Sequence, residues 1–344
     1  MSELELEIES EEEQRFYYSF KNQYLQIVPI YNWKWHTVPS TLSLPTQAAI
    51  FSLIQKYQKW NNISDGYTIQ ILKKVISIAE KNFCEIHEDL LTFYLDLLSQ
   101  ETSEGSSMEY ISGGTKITDG NDQTWWKIYS LDTKGQNILR ILEDKSMISK
   151  GTTGLRTWEA SLRLSEYFIQ NPKLCQGKNI IELGAGIGLL SLICAKLGAK
   201  SITATDVNTD VIQRLHQNIE SNKPFLTEAH LTIPQAGKLD WNEKELDMSR
   251  YGDLDLIICA DVIYNPQNIE PLVNILSQFL KAIPSITIIL CNPLRQQSTY
   301  DLFLEQLSQH HIIIQKELID TVPVIFCHDK EFSQIQMTII NKKD

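Results

Sequence analysis

No stretch of this 344-residue chain approaches the roughly 18 consecutive apolar residues that a membrane-spanning helix needs, so a helical membrane protein is excluded. A secretory leader is lacking as well. The N-terminus reads M-S-E-L-E-L-E-I-E-S-E-E-E, with neither a positive flank nor a continuous apolar core, and a soluble, cytoplasmic protein is expected. Cysteine is sparse: Cys84, Cys175, Cys194, Cys259, Cys291 and Cys327 form no C-x-x-C pair and no His-Cys cluster at zinc spacing. They read as reduced core residues, and no metal site is expected. Basic residues are outnumbered, 31 Lys and Arg against 43 Asp and Glu, for a net charge of −12. Seven of the acids fall between Glu3 and Glu13; without them 31 basic residues face 36 acidic ones, a balance of −5. So mildly acidic a body lacks the basic face that phosphate backbones require, and neither nucleic acid nor a membrane is an expected partner. Residues 1–14 read as an acidic disordered tail.

What remains has ordinary globular composition, 42% hydrophobic and 22% charged, in a chain long enough for two domains. From residue 15 to about 120 the pattern is helical. Ile69, Leu72, Val75, Ile76 and Ala79 recur at helical spacing, as do Leu90, Leu91, Tyr94 and Leu97. Pro39 and Pro45 bracket a break, after which Thr46 to Trp60 reads as a helix with Ala48, Phe51, Ile54 and Tyr57 on one side. Glu101 to Asp122, rich in Ser, Gly, Thr and Asp, has the composition of a linker, and a second domain is expected over 121–344. Trp125–Leu131 and Ile138–Ile141 read as short strands.

Beyond Gly177 short apolar runs alternate with helical segments, the mark of βαβ units and a parallel sheet. Strands are predicted at Asn179–Leu183, Ser201–Thr205, His230–Ile233, Leu254–Ala260 and Ser285–Cys291. His311–Leu318 and Gln334–Ile340 lack a long helix between them and suit an antiparallel pair at the sheet edge.

Chemistry-bearing residues cluster at the carboxyl ends of these strands, where open α/β sheets bind ligands. Glu182-Leu183-Gly184-Ala185-Gly186-Ile187-Gly188 follows the first strand and leads into a helix. Its G-x-G-x-G spacing differs from the G-x-G-x-x-G that seats a pyrophosphate, and glycines let backbone approach a ligand closely. Asp206 ends the next strand, where a carboxylate can accept both hydroxyls of a ribose, the role favoured beside the glycine loop; an acid there would also fit as the cap of the following helix. Asp240-Trp241 offers an indole to flank a base, or a core tryptophan. Ala260-Asp261-Val262-Ile263-Tyr264 closes the fourth strand, where Asp261 could orient an amine or cap a helix. Asn292-Pro293, after the fifth strand, is not where an N-P-P-Y motif would stand.

Upstream lies Thr153-Gly154-Leu155-Arg156-Thr157-Trp158-Glu159-Ala160, just ahead of a helix. Together with E-L-G-A-G-x-G, D-W and A-D-x-x-Y, this segment resembles family 16 of the protein-lysine methyltransferases, over roughly residues 152–264. The long helical N-terminal region makes it most similar to the subgroup that methylates elongation factor 2, and the length and acidic start to a fungal member. The resemblance implies a class I, seven-stranded Rossmann-like domain and S-adenosyl-L-methionine as cofactor. It places cofactor contacts at Trp158, Gly184, Ala185, Gly186, Asp206, Trp241 and Ala260. For transfer to a lysine, Asp261 is expected to contact the substrate nitrogen and Tyr264 to line the lysine channel, the two catalytic candidates. It also implies a protein substrate, elongation factor 2, for an enzyme read as a monomer. Another acceptor, protein or small molecule, and a catalytically silent binding module stay open.

Overall fold

The computed structural model describes residues 8–35, 38–103, 124–132, 137–318, 323–328 and 335–340. Two compact units divide the chain, Met1–Ile138 and Leu139–Asp344.

The first unit is helical: α1 (Glu11–Leu25), α2 (Leu44–Tyr57), α3 (Asp65–Lys81) and α4 (Glu88–Ser103), followed by the strand β1 (Thr124–Ser130). Ser10 caps α1, and Glu13 inside it is buried, its carboxylate accepting the Ser43 amide at 2.6 Å. The acidic tail expected to reach Gln14 therefore gives way to structure earlier, because Glu11–Glu13 favour a helix N-terminus; residues 1–7 lie outside the described residues. In α2 the buried face is Ala49, Ile50, Leu53 and Ile54, not the predicted stripe, of which only Ile54 is buried. Predicted residues Ile69, Leu72, Val75, Ile76 and Ala79 are all buried in α3. The expected linker lies outside the described residues from 104 onward.

The second unit contains β2 (Ile138–Asp144), α5 (Glu159–Gln170), β3 (Asn179–Leu183), α6 (Leu189–Lys196), β4 (Ser201–Asp206), α7 (Thr209–Glu228) and β5 (Gln235–Lys238). It continues with β6 (Leu256–Ala260), α8 (Ile269–Ala282), β7 (Thr287–Pro293), α9 (Gln297–Gln309), β8 (Ile314–Leu318) and β9 (Ile335–Ile340). Seven strands form one sheet in the order β5-β4-β3-β6-β7-β9-β8. Five are parallel, and β9 pairs antiparallel with both β7 and β8. This is the class I arrangement that the motifs implied. The central strands are apolar on both faces, as a sheet covered by helices requires: Ile257, Ile258, Cys259, Ile288 and Leu290 are buried.

One strand was misplaced. His230–Ile233 is not a strand; His230 sits at φ +54 as α7 ends, and β5 is the polar segment Gln235–Lys238. Its place is fixed by pairing with Thr203–Asp206 of β4, not by its own apolar pattern.

Between β3 and β6 the chain order reverses direction, which opens a crevice at their carboxyl ends. Helix α7 braces this crevice from beside it. Its buried Asn218 and Asn222 accept the amides of Leu142 and Arg140 in β2, and Asn218 donates to the Ile187 carbonyl in the glycine-rich turn. No helix among the described residues is long and apolar enough to cross a membrane.

Candidate active site

A cavity of about 530 Å³ occupies the crevice. The turn after β3 lends it Gly184, Ala185 and Gly186, β4 lends Asp206, and the loop after β5 lends Trp241. From β6 and its loop come Ala260, Asp261 and Tyr264, and the segment before α5 lends Trp158. The fold thus brings all the site residues named from the sequence into one cavity.

The glycine turn is shaped by close approach. Gly184 has φ +69, and a Cβ there would meet Val262 at 3.0 Å and the Trp241 ring at 3.3 Å. At Gly186, φ +54, a Cβ would stand 3.2 Å from the Gly154 carbonyl. The turn is tied to β4, with Ala185 donating to the Thr205 carbonyl at 2.8 Å and Gly186 to Asp206 Oδ2 at 3.2 Å. Asp206 Oδ1 accepts the amides of Val207 and Asn208. Asn208 is the cap of α7, so Asp206 is not a helix cap, and its carboxylate lines the cavity. Burial pushes the Asp206 carboxyl up, against the lowering effect of the amides of Asn208, Gly186 and Val207. Beneath the turn, buried Glu182 accepts Ser191 Oγ at 2.5 Å, and burial lifts its carboxyl to about 8.

Asp261 sits at φ +58, in the left-handed region that costs a non-glycine residue of the order of 1 kcal/mol. Two contacts hold it there. Its amide donates to the Cys291 carbonyl at 2.9 Å, and the next two amides, of Val262 and Ile263, donate to the buried Asn292 side chain at 2.8 and 3.0 Å. Helix α8 begins only at Ile269, so Asp261 caps nothing. Its side chain is 7% exposed and bonds Arg295 Nη2. Burial raises the Asp261 carboxyl, opposed by Arg295 and assisted by Glu159. The Arg295 guanidinium lies 5.1 Å from the Trp158 ring centroid, and the indole is fixed by donating to the Thr153 carbonyl at 2.9 Å.

A sequence model of the lysine methyltransferase family matches residues 133–310, just over half of the chain. The chain belongs to that family. It is 34% identical over 173 residues to the protein-lysine N-methyltransferase EFM3 of Chaetomium thermophilum, covering 48% of this chain and 50% of the relative. With the human protein-lysine N-methyltransferase EEF2KMT it shares 28% identity over 213 residues, 60% of this chain and 57% of the relative. An uncharacterised Dictyostelium discoideum protein is 26% identical over 342 residues, 90% of either chain. The matches thus span about half the length of the named methyltransferase relatives.

The cofactor of such a lysine methyltransferase is S-adenosyl-L-methionine, a nucleoside sulfonium without phosphate, and the cavity fits it. Among the described residues its lining has Arg156 and Arg295 but no lysine, while Glu182, Asp206, Asp240 and Asp261 contribute four carboxyl groups. The glycine turn, packed tightly at Gly184 against the Val262 and Trp241 side chains, the Asp206 carboxylate and the Trp241 indole form a cradle suited to a nucleoside. Trp241 also packs on the core cluster around Val262 and Leu239, so the core and cavity readings of this indole coexist.

Three groups of this family member escaped the sequence reading. Asn292 lies one residue before the end of β7 and Arg295 just beyond it, a place that strand order alone marks as ligand-facing. Asn292, set aside as a displaced motif, holds the amides after Asp261. The third group is His328, whose Nδ1 lies 2.5 Å from Glu159 and Nε2 2.9 Å from Glu166. Glu166 also binds Arg163 and the amides of Ile325 and Phe326, pinning residues 325–328 to α5. Burial pulls the His328 pKa down, but bonding to both carboxylates outweighs it and lifts it to about 9. No sequence spacing signals a contact between residues 160 or more apart.

Proposed function

We propose that this protein is an S-adenosyl-L-methionine-dependent protein-lysine N-methyltransferase that modifies a lysine of translation elongation factor 2. The observation that carries the reading is the pairing, in one cavity, of a nucleoside cradle with a carboxylate, Asp261, beside the aromatic residues Trp158 and Tyr264. A carboxylate and aromatic rings suit a cationic side chain in transit to a neutral amine. Motif resemblance and the mammalian relatives named EEF2KMT support elongation factor 2 as acceptor.

When bound, the cofactor supplies an activated methyl group on a positively charged sulfur. The chain's task is alignment. Gly184 to Gly186, Asp206 and Trp241 hold the nucleoside, and Ala260 lets β6 approach it. A lysine amine has a reference pKa near 10.4 and must lose its proton before it attacks. Partial burial of the amine disfavours its charged form, the proton passes to solvent as the lysine enters, and Asp261 Oδ2 accepts a hydrogen bond from the neutral amine, orienting its lone pair. Tyr264, half-exposed at 50%, lines the entry of the lysine stem. The helical first unit recognises the folded acceptor, the protein works as a monomer in the cytoplasm, and neither a metal nor nucleic acid takes part.

Incubating the purified protein with methyl-labelled S-adenosyl-L-methionine and an extract from cells lacking it tests the reading. One labelled band of elongation factor 2 size is expected. Label on a different protein, or in a small-molecule fraction, would replace the substrate, and no label despite cofactor binding would leave a silent module.

A further inference from the structure

The cavity already contains a cation where the proposed reaction needs one. Arg295 stands between Pro293, the end of β7, and Gln297, the start of α9, on a short connection outside the sheet. Its guanidinium meets the two groups a lysine ammonium would seek, the Asp261 carboxylate and the face of Trp158. These partners are unequal in freedom. Asp261 is 7% exposed and held through its own amide by Cys291 and through the next two amides by Asn292, and Trp158 is fixed to Thr153. Arg295 is 33% exposed and carries a long stem, so of the three it is the one that can leave.

Resting on the lysine-acceptor reading, we propose that Arg295 is a built-in competitor for the acceptor cation: it occupies Asp261 and Trp158 until the substrate lysine exchanges with it. A guanidinium offers hydrogen-bond donors and no acceptor, so it cannot serve as the base, and its role at Asp261 is to fill the carboxylate's hydrogen-bonding sites. A second cation entering while Arg295 stays would set two positive charges against one carboxylate, whereas exchange keeps the charge balanced. Because the incoming lysine takes the place of Arg295 at the same carboxylate, the largely buried Asp261 is not left unpaired by the exchange. The competitor thereby selects acceptors whose remaining contacts with the enzyme help to displace it, and it discriminates against free lysine-like amines.

The test is calorimetric titration of Nα-acetyl-lysine-N-methylamide into the full-length protein saturated with S-adenosylhomocysteine. Arg295→Met keeps a stem of similar bulk and removes the charge; it is expected to bind this probe about tenfold more tightly than wild type, about 1.4 kcal/mol. Arg295→Lys, which restores a cation, is expected to bind it as weakly as wild type. Unchanged or weaker binding by Arg295→Met would overturn the proposal, as would equal tightening by Arg295→Lys. Affinity for S-adenosylhomocysteine, measured on each variant, reports folding, and Arg295→Gln replaces the Met variant if that fails to fold. On elongation factor 2 the Met variant is expected to lower KM about tenfold with kcat within about twofold, a split that a merely structural role would not give. If the wild type methylates no elongation factor 2, the substrate assignment falls while the probe titration still decides the exchange.

Discussion

The two halves of the cavity are built from different materials. Where the cofactor fits, the wall is backbone: the turn at Gly184 to Gly186, locked to β4 through the Thr205 carbonyl and Asp206. Where the acceptor would enter, it is side chains: Asp261 bonded to Arg295, whose guanidinium lies against Trp158. A second charged cluster, Glu159 and Glu166 around His328, lies outside the cavity lining. A cofactor common to many enzymes can be held by a fixed frame, its one carboxylate turned to the nucleoside, Asp206, pinned by three backbone amides. An acceptor whose amine must shed a proton needs a charge that can be rearranged, and the Asp261–Arg295 pair offers one.

For the stability of the fold, breaking the charged cluster around His328 should cost most. His328→Gln leaves Glu159 and Glu166 buried opposite a neutral group, with Arg163 on Glu166 as the remaining cation and Asp261 close enough to Glu159 to feel its charge. The folded pKa of about 9 lies above the 6.5 of the free side chain, so the stabilisation is complete below pH 6.5 and disappears as pH rises through 9. Denaturant unfolding at pH 6 is expected to show a loss of up to about 3 kcal/mol, shrinking towards zero by pH 10. A loss that does not vary with pH would mean that His328 acts by packing alone.

Next in size is the cofactor half. Asp206→Asn turns an amide group towards the Gly186 N–H or removes the carboxylate charge from the ligand, and should weaken S-adenosylhomocysteine binding about 30-fold, roughly 2 kcal/mol. Calorimetry that found the affinity unchanged would remove Asp206 from the nucleoside cradle. The smallest effect is expected from Asn292→Ala, which deprives the Val262 and Ile263 amides of their acceptor and loosens the loop after Asp261. Turnover should fall about tenfold with cofactor affinity within about twofold, since the damage is confined to the acceptor half.

The same contrast explains what was legible in the sequence. The glycine turn, Asp206 and the central strands announce themselves through local spacing, because backbone geometry depends on neighbours in the chain. The cavity's seven-stranded frame followed from that alternation, including the late antiparallel pair. β5 did not, because the segment Gln235–Lys238 has no apolar signature and is a strand only through its pairing with β4. Arg295, Asn292 and His328 were hidden for a related reason. Their partners lie from about 30 to 169 residues away in sequence, so nothing local distinguishes them from a loop cation, an edge asparagine and a surface histidine. Asp261 was found by motif, but its left-handed backbone and its arginine partner were not.

The most direct measurement compares Asp261→Asn with wild type in two assays on the same protein: calorimetric titration with S-adenosylhomocysteine, and methyl transfer to purified elongation factor 2 followed by intact mass. If the halves are separate devices, affinity stays within about twofold while turnover falls roughly 1,000-fold, about 4 kcal/mol of transition-state stabilisation. Turnover near that of the wild type, with affinity intact, would contradict the assignment of the acceptor half to Asp261.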